Sequence, residues 1–333
     1  MLFGFRLAIL WVLATLVAVP ALADEPRFFQ LGTGPTSETR FPIGGLIANA
    51  LSNPPGSREC DRGGSCGVPG LVAVAKSTEG SAANVEALRL HRLDAALVHA
   101  DIAFWAYHGI GPYKGRAAPN LRAIATLYPE YLHLVTRRDS GIRSVKDLKG
   151  KKVSLGEADS ALSIHGRQIL AAWGIADKVR VAPMRTAAAA EALAAGQLDA
   201  FLALDGPPLA VIAELARNIA ISLVPLDDGP AERLRAQNPY LVPGEIPADT
   251  YEGQLLPVRT LTIAVALLAP AEEDPALVRG VTRALWHPST QKLLLQGNPR
   301  GRLVHLDATA LPTMGIPLHP GAAAYYAETT GGR

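Results

Sequence analysis

Arg40 ends a run of hydroxyl side chains, Thr33, Thr36, Ser37 and Thr39, that is interleaved with the glycines Gly32 and Gly34. A guanidinium presents a planar fork of donors matched to a carboxylate, and glycine lets backbone approach a solute closely. Two readings of Arg40 stand: it holds a carboxylate, or it is a solvated arginine at a helix start paired with Glu38. The hydroxyls divide in the same way, between solute contacts and their own loop's backbone. Farther along, Gly80-Ser81 precedes an apolar-periodic stretch with Asn84 three residues on. Ser81 there is an N-cap worth about 1 kcal/mol, at a helix end whose free N–H groups suit an anion. His99 and Asp101 end one strand and Asp205 ends another, at positions where they meet a solute. His99 reads equally as a satisfied buried histidine, and Asp205 as a partner for Arg40 across a closed cleft.

Covalent chemistry finds little support. The Gly32-x-Gly34 loop lacks the third glycine of a dinucleotide cradle, because position 37 is Ser37, and no Gly-Lys-Ser/Thr phosphate loop follows. The 8 histidines are scattered, with no HxxxH pair, so a catalytic metal has no ligand set. No GxSxG elbow occurs. The expectation is a non-enzyme with no catalytic residues and no cofactor.

The elements that must position these groups alternate. Short β-like runs fall at 27–31, 71–76, 95–99, 122–127, 131–137, 152–155, 199–204, 221–226 and 261–268. Helical periodicity falls at 42–51, 82–90, 144–148, 161–173, 186–195, 207–217 and 275–286. Such alternation predicts parallel sheet covered on both faces, with ligands at the carboxyl ends of strands. The polar and glycine-bearing stretches at 32–34, 77–81, 99–101, 156–160 and 205–206 fall at those ends. Residues 238–253, rich in proline and glycine, read as a surface loop.

Residues 1–23 carry one cation, Arg6, then an apolar run over 7–19, then Ala21-Leu22-Ala23 before Asp24. That is the order of an export signal cleaved after Ala23, and the run falls short of the roughly 20 residues a membrane span needs. The formal charge of +2 over 333 residues, with charges dispersed, offers no footprint for nucleic acid. No later segment is apolar for long enough to span a bilayer, so the exported protein is expected to be soluble. Cys60 and Cys66 stand in a glycine-rich stretch of an exported chain, which predicts a disulfide. Closing so short a loop contributes about 2–3 kcal/mol at most. A metal site is the rival reading, against which the spacing counts.

The motifs taken together resemble the TAXI family of TRAP transporter solute receptors. They are GTG-x-T with FPIGGLIAN (32–49), EGSAANVEAL (79–88), AALVHAD (95–101), LRAIATLYPEYLHLV (121–135), DSGIRSVKDLKGKKVSLG (139–156), AGQLDAFLA (195–203) and IPLHPGAAAYYAE (316–328). The stretch CGVPGLVAVAKS resembles a subgroup of that family. The resemblance implies an α/β type II periplasmic binding protein fold. Two α/β lobes, 24–136 plus 263–333 and 137–262, would be joined by two hinge strands with a ligand cleft between. It implies a periplasmic receptor that captures a small organic anion, carboxylate or amino-acid-like, by lobe closure and delivers it to a TRAP-type membrane permease. The chain departs from the family where a valine and a tyrosine pair are usual and it has Ser37 to Phe41, and where His99 replaces a common glutamine. In a loop that often reads GSGT, Ser160 alone is kept among 159–162, which favours Ser160 as a ligand contact. The family tyrosine replaced by Arg40 faces the ligand. The expected ligand-binding set is Gly34, Thr36, Ser37, Thr39, Arg40, Phe41, Ser81, His99, Asp101, Ser160 and Asp205, with the solute's identity not carried over. An exported sensor signalling through a membrane partner is the alternative, and an exported enzyme on the same fold a third.

Overall fold

The computed structural model describes residues 25–36, 38–304 and 314–330. The export signal and Ser37 lie outside them. Among the described residues no helix is long and apolar enough to cross a membrane.

The first α/β unit begins with β1 (Arg27–Gly32) running into α1 (Arg40–Leu51). The two-residue strands β2 (Ser52–Asn53) and β3 (Val68–Pro69) pair with each other, and β4 (Leu71–Lys76), α2 (Ser81–Arg89) and β5 (Ala95–His99) follow. β1 lies between β4 and β5, parallel to both. Its alternation puts Phe29 and Leu31 in the core while Phe28 is 65% exposed. These side chains pack with Ile43, Ile47 and Leu51 of α1 and with α8 (Pro275–Leu285).

A second parallel trio, β7 (Lys152–Ser154), β8 (Arg180–Val181) and β9 (Ala200–Asp205), forms the other end of the sheet. α4 (Ala161–Ala172), α5 (Thr186–Ala194), α6 (Ala210–Asn218) and α7 (Gly229–Gln237) surround it. Between the trios run two long antiparallel strands, β6 (Leu121–Arg137) and β12 (Val258–Pro270). The order is β4-β1-β5-β12-β6-β9-β7-β8, with β10 (Ile221–Val224) on β6 and β11 (Leu241–Ile246) on β12. The parallel sheet expected from strand–helix alternation therefore holds within each trio and is interrupted at the centre. β6 joins two runs expected to be separate strands. It continues through Pro129, which pairs in register with Ala264 of β12; two register shifts fall just before it, where β6 carries an extra residue at Leu127 and at Ile124.

Two further expectations are corrected. α3 (Ala100–His108) begins where residues 99–101 were read as a strand-end loop, and Asp101 is its second residue. The sequence ADIAFWAYH is buried on most sides and shows no narrow apolar stripe. Residues 241–246, read as loop, form the edge strand β11. Pro243 and Gly244 are tolerated there because an edge position leaves the missing N–H unpaired at no cost. α9 (Pro288–Gly297) and α10 (Pro320–Thr330) complete the α-helices of the described residues. His319, read as structural, is buried, donates its backbone N–H to Ala123 O at 2.8 Å and caps Gly321 N–H through Nδ1.

Cys60 and Cys66 form a disulfide with Cα atoms 4.7 Å apart. His287 Nε2 lies 4.0 Å from Cys60 Sγ.

Candidate functional site

A cavity of about 570 Å³ opens where the two parallel trios face each other. One wall is built from the beginnings of three helices. Gly156, Glu157, Ser160 and Leu162 lead into and begin α4, Met184 to Ala187 begin α5, and Leu209 to Val211 begin α6. Each of these helices follows a strand of the second trio or its connection, so their N-termini gather at the strands' carboxyl ends. Ser160 caps α4, its Oγ accepting from Ser163 N–H at 3.1 Å and donating to Glu157 O at 2.8 Å. Neither α5 nor α6 has a capping side chain. Their first-turn N–H groups carry the positive end of the helix dipole toward the cavity. Gly156 turns the chain at φ +97°, and a Cβ there would sit 3.1 Å from Ser160 Oγ.

The N-terminus of α6 is fixed by a buried relay. Leu209 N–H donates to Tyr251 Oη at 2.9 Å, and Tyr251 O–H faces His133 Nε2 at 2.9 Å. His133 Nδ1 donates to Tyr131 O at 2.8 Å, so in the neutral ring Nε2 is the acceptor. Burial pushes the His133 pKa down to about 4; the Tyr131 carbonyl opposes that and the Arg300 charge adds to it.

The facing wall carries charge. Arg40, 5% exposed, donates through Nε and Nη2 to Glu38 Oε2 and through Nη1 to Ser81 Oγ at 2.6 Å. Ser81 Oγ in turn accepts His99 N–H at 3.1 Å. Gly80, at φ +103°, keeps this corner open, since a Cβ there would meet Arg40 Nη2 at 3.3 Å. Burial works against the Arg40 charge, but Glu130 and Glu38 outweigh it and hold its pKa above the ordinary arginine value. Glu130, on β6, takes His99 Nε2 at 2.7 Å on its Oε2. Burial would raise the Glu130 pKa, yet His99, Arg40 and Arg300 bring it below the usual carboxylate value. Asp205 at the end of β9 is shifted the other way, upward, by burial and by Glu130 despite Arg300. Its Oδ1 accepts from Arg300 Nη1 at 2.7 Å, Gly206 N–H at 2.6 Å and Thr39 Oγ1 at 3.1 Å.

Glu157 pairs with Arg185 at 2.9 Å, so every charged group lining the cavity already has a partner of opposite charge or, for Glu130, a histidine. Of the residues expected from sequence to meet a solute, Arg40, His99, Ser160 and Asp205 line the cavity, and Thr39 reaches its edge through Asp205. Ser81 is the first residue of α2 and not its cap, which is Gly80; its hydroxyl stands behind Arg40 as acceptor instead. Gly34, Thr36 and Phe41 are not among the lining residues. Gly34 O instead accepts from Ser77 Oγ at 3.1 Å, and Thr36 is exposed. Asp101 is also absent from the lining. It is buried in α3 with its Oδ2 2.5 Å from His165 Nε2. Asp205 pairs with Arg300 rather than Arg40. Sequence reading missed Glu130 and the starts of α5 and α6. An acid inside the apolar run LRAIATLYPEYLHLV was the available signal for Glu130, because a buried carboxylate needs a partner.

The NMT1-like family model matches residues 31–330. Among solved structures, the periplasmic sulfonate-binding protein from Methylobacillus flagellatus is similar over 92% of this chain and 88% of that chain, at 14% identity and a TM-score of 0.52. The periplasmic aliphatic sulphonate binding protein from Escherichia coli is similar over 90% of this chain and 83% of that one, at 16% identity and a TM-score of 0.46. The first of these shows that the mixed α/β fold is that of periplasmic binding proteins.

Proposed function

The chain belongs to the NMT1-like family, and from that footing we propose that it is a periplasmic solute receptor that captures an amino-acid-like carboxylate and hands it to a membrane permease. Export follows from a signal cleaved after Ala23. The lobes are 24–136 plus 263–333 and 137–262, with β6 and β12 as the strands that connect them. Closure about those strands encloses the solute. The resemblance to TAXI receptors supports a TRAP-type permease as the partner. Binding involves no covalent step.

One observation carries the reading: the starts of α4, α5 and α6 line one cavity together with Glu130, Asp205 and the Glu38–Arg40 pair. The arginines of the cavity are neutralised by their own carboxylates, so the solute's carboxylate is held by helix N-termini, with Ser160 beside them. The bonds to Glu130 and Asp205 described above fall on Oε2 and Oδ1. Glu130 Oε1 and Asp205 Oδ2 carry none of them and suit a ligand ammonium or hydroxyl. A zwitterion therefore fits better than a plain anion.

A thermal-shift screen of residues 24–333 against L-amino acids, their des-amino carboxylates and alkyl sulfonates tests this, because a ligand of the folded form alone raises Tm. Amino acids should give the largest shift. Glu130→Gln should weaken an amino acid 10-fold or more, about 1.4 kcal/mol, while sparing its des-amino analogue. Equal losses for both, or no shift with any compound, would reject the assignment.

A further inference from the structure

Away from the cavity lining, the two proposed lobes meet through a buried polar and aromatic cluster that ligand contact does not explain. Asp101 and Trp105 come from α3 in the first lobe. His165 and Gln168 come from α4 in the second, and Tyr240 stands just before β11. Asp101 and His165 side chains are 0% and 1% exposed, with Oδ2 and Nε2 2.5 Å apart. Asp101 Oδ1 accepts Ile102 N–H at 2.7 Å, and His165 Nδ1 lies 3.2 Å from Gln168 Oε1, so both polar ends of the pair are satisfied. The Trp105 ring stacks on His165 at 5.2 Å and 29°, and Tyr240 closes edge-on against Trp105 at 5.7 Å. Each of these contacts except Asp101 to Ile102 and His165 to Gln168 crosses from one proposed lobe to the other. Around them, Ile102 and Trp105 belong to the same apolar cluster as Ile169, Trp173 and Tyr240.

We propose that this Asp101–His165–Trp105–Tyr240 cluster is a clasp that holds the lobes together without ligand, making the closed form the resting state; Asp101 and His165 are positioning residues that act on the solute only through closure. The proposal rests on the two-lobe reading above. Its physical basis is the cost of leaving one member of a buried pair alone. An unpaired carboxylate or imidazole at a seam is relieved by hydration, and separation of the lobes supplies the water. Replacing both members by apolar side chains removes that drive while keeping the aromatic packing. The two kinds of change should therefore act in opposite directions on closure, which a residue that merely supports the fold would not do.

The test is small-angle X-ray scattering of ligand-free residues 24–333. The wild type should be compact, with a radius of gyration of about 19–20 Å for a chain of this size. His165→Leu, which strands Asp101, should increase it by about 1 Å or more. Asp101→Asn should shift it the same way by less. The double variant Asp101→Leu/His165→Leu should return to the wild-type curve. In parallel, Trp105 emission should move toward that of exposed indole in the single variants and return in the double. An expanded wild type, or a folded His165→Leu or Asp101→Asn whose scattering superposes on the wild type, overturns the clasp. If His165→Leu fails to fold, Asp101→Asn and the double variant still decide it. Failure of the receptor reading would show separately, as no amino acid raising the wild-type Tm whatever the scattering.

Discussion

His133 makes the stability of this protein depend on pH in a window set by its burial. The ring is 0% exposed on β6, donates from Nδ1 to a backbone carbonyl, and accepts the Tyr251 hydroxyl on Nε2. A proton on Nε2 would oppose that hydroxyl in a site water does not reach, and burial lowers the pKa from the usual 6.5 to about 4. In the unfolded chain the imidazole regains its ordinary value. Between pH 6.5 and 4 the unfolded state therefore binds a proton that the native state refuses, and stability falls as pH falls. Above 6.5 neither state is protonated and the effect is absent; below 4 both are, and the loss levels off. A shift of this size corresponds to about 3 kcal/mol across the window, a substantial part of the 5–15 kcal/mol typical of a folded domain. Urea unfolding from pH 7.5 to 4.5 would measure it, with His133→Gln as the reference that cancels the contributions of Glu130 and Asp205. The wild type should lose about 2–3 kcal/mol relative to the variant over that range. Parallel curves, or a wild type that gains on acidification, would refute the neutral buried histidine.

Tyr251→Phe removes the hydroxyl that receives Leu209 N–H and should cost about 1–3 kcal/mol. It should also weaken amino-acid binding by loosening the start of α6; calorimetry showing unchanged affinity would remove the relay from the site. Reducing the Cys60–Cys66 bond should lower stability by about 2–3 kcal/mol or less, with affinity for the same amino acid within twofold by titration. Arg40→Ala leaves Glu38 without its ion-pair partner and removes one of the positive charges near Glu130, and should weaken an amino-acid ligand about 10-fold or more. An affinity preserved on calorimetric titration would show that Arg40 only braces Ser81 and Glu38.

Much of the frame was legible because apolar runs and their spacing carry it. β1, β4 and β5 fall within a residue of their expected bounds, since each is a short apolar-rich run, aromatic in β1 and rich in valine or alanine in β4 and β5, closed by a polar turn. α3 was not legible, because a helix covered on most sides has no polar face to set its period. β11 was hidden by Pro243 and Gly244, residues that argue against a strand unless its edge position is known. Of the candidate site residues, Arg40, His99, Ser160 and Asp205 fall on the cavity lining because they end strands or start helices. Pairings were harder. That Arg300, 95 positions beyond Asp205, would reach it, or that Asp101 would turn from the cavity toward His165, depends on how distant elements pack. No local pattern encodes it.

A crystal structure of residues 24–333 with the amino acid that gives the largest thermal shift tests the central claim most directly. The account predicts one molecule in the cavity, its carboxylate within hydrogen-bond distance of backbone N–H groups at the starts of α5 and α6, and its ammonium against Glu130 or Asp205. A ligand bound elsewhere, or lying the other way round with its carboxylate on Arg40, would contradict it.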